Sequence, residues 1–232
     1  MHIPDGFLDP KMSSGLIGAA VAFLGLCLAK IRSMVTDVMP QEAYATACKQ
    51  ISNFKKQTKR ILTKAGEQKI LQMGLVACFI FAAQMFNFPI EAGTSGHLMG
   101  GVLAAVLLGP FAGAVVIGAV LIIQSLFFAD GGFLALGANI INMALIGSFL
   151  SYYIYFFLNK KLSMKVSLGI AAWASVVLAA LACSLEIGLS GTIGLKDITW
   201  TMLKLHALIG IIEAFVTIVL ITYFKKIILG EE

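Results

Sequence analysis

Seven apolar runs, of which only the third is short, limit what this chain can fold into. An α-helix needs about 20 apolar residues to cross a bilayer, so the runs predict an all-α integral membrane protein with about seven transmembrane helices. The 232 residues are 59% hydrophobic and 12% charged, whereas soluble proteins carry about 25% charged residues. This composition excludes a soluble enzyme, a nucleic-acid-binding protein and a secreted disulfide-linked domain. The predicted spans are residues 12–31, 69–87, 97–109, 111–128, 133–158, 166–187 and 199–224.

The positions of the lysines and arginines predict how the chain crosses the membrane. Basic residues concentrate in segments 30–69, 159–165 and 225–226, and with seven spans these segments fall on the same side. Because loops rich in Lys and Arg stay in the cytoplasm, we expect the N-terminus outside and the C-terminus in the cytoplasm. The chain is therefore predicted to be a single transmembrane domain, residues 1–232, that crosses the cell membrane several times.

Segment 32–68 is the longest polar stretch of the chain, and it is strongly basic. Within it, apolar residues recur among the lysines at roughly helical spacing, which is typical of an amphipathic helix. Such a helix on the cytoplasmic side could lie on anionic lipid headgroups or dock against a partner subunit. The sequence leaves both alternatives open.

The sequence carries no motif that would power transport. No GxxxxGK[ST] motif occurs, so the chain has no P-loop for ATP. Proton-driven pumps place several ionisable groups along the bilayer, whereas only Glu186 and Glu213 bring a carboxylate into the predicted spans. The polar residues also form no pair of nucleophile and base. We therefore expect no enzymatic activity in this chain and an energy source on another one.

The second residue, His2, is the feature most specific for function. No basic region precedes the first apolar run, so no cleavable signal peptide is predicted, and a side chain as bulky as His2 should keep Met1 in place. The Met1 amine, the ionised His2 amide and the nearer imidazole nitrogen of His2 could then close two fused rings on a metal. Nearly planar nitrogen ligands favour Ni(II) or Cu(II), although a histidine at position 2 can also be incidental.

The other two histidines, His97 and His206, are both predicted to lie toward the outer side. His97 follows the glycine-rich segment 93–96, which is predicted to dip into the membrane, and glycines allow the backbone to approach closely. A nitrogen from His97 would complete a square around the metal. His206 lies in the last predicted span, where a histidine that only satisfies hydrogen bonds in the interior is the alternative to a metal-site role.

Short motifs spread over most of the chain resemble those of a known family. They are residues 1–8 (MHIPDGFL), 95–101 (SGHLMGG), 108–110 (LGP), 128–132 (FADGG), 135–139 (ALGAN) with 142–143 (NM), and 206–210 (HALIG) with 213–214 (EA). They resemble the CbiM/NikM family, the substrate-capturing membrane subunits of energy-coupling-factor (ECF) cobalt and nickel transporters. The N-terminal motif is specific because its position is fixed at the terminus. The resemblance covers nearly the whole chain except residues 32–68.

This resemblance implies metal capture by the Met1 amine, the His2 amide and imidazole, and the His97 imidazole. It implies Ni(II) or Co(II) as the transported substrate, and square-planar coordination favours nickel over cobalt. The implied partners are a membrane scaffold (T) subunit, cytoplasmic ATPase subunits and a small accessory membrane subunit. The lipid bilayer is a further partner, and no nucleic acid is expected.

Four more polar residues are candidates to orient the metal-binding histidines, which usually donate their other N–H to a carboxylate, carbonyl or amide. Asn139 and Asn142 lie one helical turn apart on the same predicted face. Asp130 lies in an outer loop, and His206 is the fourth candidate. For the asparagines, hydrogen bonds between helices without any role at a metal are the alternative.

The first predicted span carries a face of small residues, Gly15, Gly18, Ala19 and Ala22. Small residues at this spacing let membrane helices approach closely. The face could pack within the chain or dock against the scaffold subunit that the resemblance implies.

A seven-helix retinal-binding protein is an alternative from a different class. Lys204, in the last predicted span, could form the Schiff base with retinal. However, Lys204 lies about one turn inside the outer boundary, and the third predicted span carries no carboxylate counter-ion. Cobalt rather than nickel uptake is the closer alternative.

Overall fold

The computed structural model describes residues 2–38, 60–86, 88–89 and 95–229. In these ranges seven helices form the fold, and five of them are long and apolar enough to cross a membrane. The prediction of an all-helical, multi-pass membrane protein is therefore confirmed. The five spans are α1 (Pro10–Val35), α4 (Pro110–Phe127), α5 (Leu136–Leu158), α6 (Met164–Leu189) and α7 (Leu195–Leu229), and the remaining helices are α2 (Lys64–Gln84) and α3 (Gly101–Leu108).

Two of the predicted spans differ from the observed helices. Helix α2 begins at Lys64, ahead of the predicted start at residue 69, and its first turns are polar. Helix α3 has only 8 residues, which corresponds to about 12 Å and is too short for a hydrocarbon core of about 30 Å. The predicted third span began at His97, but the helix begins at Gly101. His97 therefore lies in a non-helical segment that precedes a short helix.

Local sequence signals set several helix ends. The Asp9 side chain accepts the backbone N–H groups of the first turn of α1 at 3.1 and 3.3 Å, and Pro10 occupies the first helical position, as is common at helix N-termini. Thr63 caps α2 in the same way. Gly109, with φ +82°, separates α3 from α4, and Pro110 begins α4.

Two short antiparallel pairings connect neighbouring helices. Strand β1 (Thr36–Val38) pairs with β2 (Arg60–Leu62), and β3 (Phe88–Pro89) pairs with β4 (Ser95–Gly96). The first pairing joins the end of α1 to the start of α2. The amphipathic helix predicted within segment 32–68 lies largely outside the described residues.

Glycines allow the helices around the N-terminal half of α5 to pack closely. A Cβ on Gly137 would lie 2.5 Å from the Cα of Ile17 in α1, and a Cβ on Gly101 would overlap the carbonyl oxygen of Gly147. Residues Ile141–Leu150 of α5 form a π-helical segment, a feature often found at functional sites. Helices α1 and α3 therefore pack directly against the part of α5 that carries Asn139 and Asn142.

The N-terminal loop (residues 2–9) is bound to two helix connections that are distant in sequence. Asp5 accepts the backbone N–H groups of Phe133 at 3.1 Å and Leu134 at 2.7 Å. The hydroxyl of Thr192, between α6 and α7, donates to the carbonyl of Phe7 at 2.7 Å. These segments lie at one end of the helices, which the charge pattern predicts to face the outside.

Candidate metal site

Asn139 fixes the N-terminal loop one residue after His2. The backbone N–H of Ile3 donates to Asn139 Oδ1 at 2.8 Å, and Asn139 Nδ2 donates to the Ile3 carbonyl at 3.2 Å. The same carbonyl accepts the N–H of Gly132 at 2.8 Å. The carboxamide of Asn139 therefore pairs with Ile3 much as a neighbouring β-strand would, and this pairing holds the backbone of His2 at the start of α5.

Two adjacent glycines let the α4–α5 connection approach His2. Gly131 has φ +94°, and a Cβ there would lie 3.3 Å from the Cβ of His2. A Cβ on Gly132 would overlap the Asp5 side chain and backbone. Because L-residues rarely adopt the φ of Gly131 and a side chain on Gly132 would not fit, the two glycines allow the connection that carries Asp130 to lie against His2.

Asp130 orients the imidazole of His2. Nδ1 of His2 lies 2.8 Å from Asp130 Oδ1. Burial lowers the pKa of His2 below the ordinary histidine value, although the hydrogen bond to Asp130 acts in the opposite direction. Burial alone would raise the pKa of Asp130, but the hydrogen bond and the charge of His2 outweigh it and lower that pKa. His2 is therefore neutral at pH 7 and rests against a carboxylate.

His97 lies beside His2. The ring centroids of the two imidazoles are 4.6 Å apart, with an angle of 57° between the ring planes. Nδ1 of His97 donates to the carbonyl of Leu98 at 2.7 Å. Burial, reinforced by nearby positive charge such as that of a protonated His2, lowers the pKa of His97 well below the ordinary value. The second imidazole is therefore neutral as well.

The hydrogen bonds leave one lone pair free on each imidazole. Nδ1 is bound to an acceptor in His2, His97 and also His206, so the proton lies on Nδ1 and the lone pair on Nε2. In all three residues Nε2 is buried, and the described part of the chain offers it no hydrogen-bond partner. A buried acceptor without a donor is costly, and a metal ion is one group that would satisfy it.

The other predicted site residues, His206 and Asn142, form hydrogen bonds elsewhere than to the two imidazoles. His206 donates from Nδ1 to the carbonyl of Met202 at 2.8 Å, and its charge, when protonated, is one of those that lower the pKa of His97. Asn142 donates to Glu186 Oε2 at 2.7 Å. Asn142 therefore takes part in a contact between α5 and α6, whereas Asn139 and Asp130 contact the N-terminal loop.

Side chains alone do not complete a metal site in the described ranges. Among those residues, no group of three His, Cys, Asp or Glu side chains comes together as possible metal ligands. A metal ion at the two neighbouring imidazoles would therefore need other donors, such as backbone nitrogens. Met1, which would supply the amine, lies outside the described residues.

Sequence reasoning missed the residues that hold the segment containing His97. Both carboxylate oxygens of Glu213 accept backbone N–H groups, from Met99 at 2.8 Å and from Gly100 at 2.7 Å. Gln84 Nε2 donates to the Met99 carbonyl at 2.7 Å. Two sequence signals pointed to Glu213: it is a carboxylate in an otherwise apolar span, where such residues are usually functional, and it belongs to the family-like motif at 213–214.

Lys204 does not occupy the position that a retinal Schiff base would require. Its side chain is exposed on α7, and its Nζ lies 4.6 Å from the ring centroid of Trp200. A lysine that binds retinal has to point into the interior of the helices, so the structure gives this alternative no support.

The chain is similar to proteins named for metal transport. It is 37% identical to an Archaeoglobus fulgidus protein named for fused nickel transport, over 96% of this chain and 65% of that protein. It is 27% identical to the cobalt transport protein CbiM of Clostridium tetani, over 97% of this chain and 85% of that protein. The crystal structure of a transition metal transporter matches with a TM-score of 0.80 and 31% identity, over 98% of this chain and 93% of that one.

The fold and the site together define a class: a multi-pass membrane protein with two buried, neutral imidazoles side by side near one end of its helices. Residues 2–228 match the family described as the cobalt uptake substrate-specific transmembrane region, CbiM. The chain belongs to this family. It spans just under two thirds of the length of the Archaeoglobus relative.

Proposed function

We propose that the chain captures Ni(II), or Co(II) in its place, as the substrate-specific subunit of an ECF-type, ATP-driven metal importer. The observation that carries the proposal is the pair of neutral imidazoles of His2 and His97, 4.6 Å apart, with the buried Nε2 of His97 unpartnered in the described residues. Membership of the CbiM family and relatives named for nickel and for cobalt transport support the choice of ions.

The remaining ligands in this proposal are backbone nitrogens. The Met1 amine and the ionised amide of His2 join the two imidazoles, so that four nitrogens surround the metal in one plane. The pairing of Ile3 with Asn139 supports this arrangement because it holds the His2 backbone beside the imidazoles. The imidazole of His97 is already neutral, so it does not have to lose a proton before it binds the metal.

Metal binding in this arrangement requires the His2 ring to turn. The six-membered chelate ring uses Nδ1, but this nitrogen faces Asp130 in the structure. Rotation about the Cβ–Cγ bond turns Nδ1 away from the carboxylate and brings the Nε2 side of the ring toward it. Asp130 would then accept the Nε2–H, which is the usual carboxylate–histidine–metal arrangement.

Four planar nitrogens favour Ni(II) over Co(II), which takes higher coordination numbers more readily. A square-planar nitrogen set is typical of Ni(II) and Cu(II). In the described residues His206 does not come together with His2 and His97 as a third side-chain ligand. The preference for Ni(II) therefore rests on the four proposed nitrogens.

The transport role requires partners and an orientation. We propose that the end with His2 and His97 faces the outside, as the positive-inside rule predicts, and that ATP is hydrolysed by cytoplasmic subunits. The membrane scaffold would dock against α1, where Gly15, Gly18 and Gly25 have open space in front of them. A small accessory membrane subunit is a further expected partner. Segment 32–68 would lie on anionic lipid or dock against a partner subunit on the cytoplasmic side.

Metal analysis of the purified protein tests the proposal directly. The full chain, purified in detergent without chelators, should contain close to one equivalent of nickel or cobalt by mass spectrometry. Calorimetric titration of the metal-free protein should then rank Ni(II) above Co(II). Protein with neither metal and no measurable binding would contradict the proposal, and a visible absorbance band from bound retinal would favour the alternative class.

A further inference from the structure

Glu213 is a buried carboxylate with a well-defined partner. It lies on α7, is 2% exposed, and accepts the backbone N–H of Met99 with Oε2 and that of Gly100 with Oε1. In the described part of the chain it forms no ion pair with a lysine or arginine. Two backbone N–H groups, more than 110 residues away in sequence, therefore hold this carboxylate.

The Glu213 carboxylate supplies a hydrogen-bond acceptor for the backbone N–H groups at the start of α3. Gly100 precedes the helix with φ +71° and has no side chain to cap it. The N-terminus of a helix carries partial positive charge and favours an anion. Glu213 thus acts as a capping residue from another helix, so the position of α3 depends on α7.

The same turn is also held from α2. Gln84, which is fully buried, donates from Nε2 to the Met99 carbonyl. A Cβ on Gly100 would lie 3.0 Å from Cγ1 of Ile80, so the turn has little room to move on that side. The segment that follows His97 is therefore fixed between α2 and α7.

Glu213 and His97 bind opposite edges of the same peptide group. The Leu98 carbonyl and the Met99 N–H belong to one planar peptide unit. Nδ1 of His97 donates to that carbonyl at 2.7 Å, and Glu213 accepts that N–H at 2.8 Å. A carboxylate on the N–H polarises the peptide and makes its carbonyl a stronger acceptor, so the orientation of the imidazole is coupled to Glu213.

We propose that Glu213 is a positioning residue for metal capture, acting through the Leu98–Met99 peptide on the imidazole of His97. The proposal rests on the nickel site proposed above. The arrangement corresponds to the carboxylate–histidine pair of metal sites, with one peptide group between the carboxylate and the ring. Glu213 fixes the proton of His97 on Nδ1 and keeps the Nε2 lone pair directed toward the metal.

The test compares two carboxylates in the full-length protein. Glu213→Gln keeps the size of the side chain but leaves only one accepting oxygen for two N–H groups. Glu186→Gln is the matched control, because Glu186 binds Asn142 rather than the His97 segment. By calorimetry with Ni(II), we expect Glu213→Gln to weaken binding about tenfold, as for other residues that orient a metal-binding histidine, and Glu186→Gln to leave binding nearly unchanged.

A readout without metal separates positioning from general stability. In the metal-free protein, the ¹⁵N and ¹H NMR shifts of the His97 ring should change in Glu213→Gln and stay constant in Glu186→Gln. Unchanged His97 shifts in Glu213→Gln, or equal loss of affinity in both variants, would overturn the proposal. If wild-type protein binds no nickel, the proposed function fails, while the His97 shifts still test the link to Glu213.

Glu213→Asp covers the case in which the glutamine variant does not fold. Aspartate keeps the charge but is one methylene shorter, so it should lose one or both contacts and shift the His97 signals in the same way. Folded protein is recognised by a single elution peak and unchanged His206 signals. Loss of folding in both Glu213 variants would overturn the positioning role in favour of a purely structural one.

Discussion

The N-terminal loop and the outer face of α1 are neighbours in sequence but differ in how the chain completes them. In the loop, Asp5 and the backbone of Ile3 find their partners in the α4–α5 connection and in Asn139. On α1, added Cβ atoms at Gly15, Gly18 and Gly25 would meet nothing within 4 Å. The N-terminal loop therefore has its partners within the chain, whereas the outer face of α1 has no neighbour in the described residues.

In the proposed function, this difference separates the step that one subunit would perform alone from the step that would involve a partner. The loop is held by hydrogen bonds over long sequence separations, so the proposed metal site can form within a single subunit. Of the two alternatives for the small-residue face, packing within the chain is not what the described residues show, because Gly18, Ala19 and Ala22 are exposed. The open face thus favours docking against a scaffold subunit.

Extension of the chain before Met1 is the most severe way to disrupt the N-terminal loop. One added residue turns the primary amine into a peptide nitrogen and moves the new amine away from His2. We expect nickel binding to be lost, whereas a C-terminal tag should be harmless. Calorimetric titration of both tagged forms, checked for a single size by gel filtration, decides this, and equal affinity would remove the amine from the ligand set.

Removal of one imidazole should have the next largest effect. His97→Ala should weaken nickel binding by more than the roughly 100-fold upper range for residues that only orient a ligand, without loss of folding. His206→Ala should do much less, because His206 is not one of the four proposed nitrogens. The measurement is nickel titration of both variants. A larger effect of His206→Ala would mean that the fourth ligand is misassigned.

Proton competition should weaken binding as the pH falls. A free α-amine has a reference pKa near 7.7–8.0 and the amide must also ionise, whereas burial lowers the pKa values of His2 and His97, so both rings stay neutral at lower pH than an ordinary histidine. Affinity should therefore decrease about tenfold per pH unit for each proton released, between pH 8 and 6. A flat profile in calorimetry would point to carbonyl or carboxylate ligands instead.

Asp130→Asn tests the hydrogen bond that closes the loop onto the α4–α5 connection. An amide is a weaker acceptor for the His2 ring than a carboxylate, so we expect nickel affinity to fall about tenfold. The pKa of His2 should fall further, because Asp130 is the group that raises it. NMR titration of His2 measures the second effect, and an unchanged pKa would show that Asp130 does not orient the ring.

The smallest effect on metal binding is expected from the open face of α1. Gly18→Leu should leave nickel affinity and thermal stability unchanged in the isolated subunit, and should weaken co-purification with the scaffold subunit. Gly137→Ala is the matched control, since its Cβ would meet the backbone of Ile17. Overpacking of this kind costs about 1–3 kcal/mol and should lower the melting temperature. A destabilised Gly18→Leu would show that the face is not open.

Much of the helical framework could be predicted from the sequence, because apolar runs and helix-end signals are local. The runs located α1, α4, α5, α6 and α7 to within a few residues. The third span was predicted to be short but to begin at residue 97, because an apolar run does not reveal where a glycine turn delays the helix to Gly101. Residues 95–100 are not helical, and their backbone groups bind Glu213, Gln84 and a neighbouring strand.

The candidate site could be predicted less completely. The histidines at positions 2 and 97 were identified from the terminus and from the glycines before His97, and the structure brings their rings together. Asp130 and Asn139 were candidates by residue type, and both contact the N-terminal loop. Asn142 was grouped with Asn139 by helical spacing, but its side chain binds Glu186 of α6 and not the N-terminal loop.

The sequence by itself determined that the chain lies in a membrane, where most of its helices run, and which residue types could bind a transition metal. These properties follow from local apolar runs and from the chemistry of single side chains. Only the tertiary structure decided which groups meet: Asp130 reaches His2 across 128 residues and Glu213 reaches Met99 across 114. Such pairs depend on helix packing around glycines and on the need to satisfy every buried polar group, and no local pattern records them.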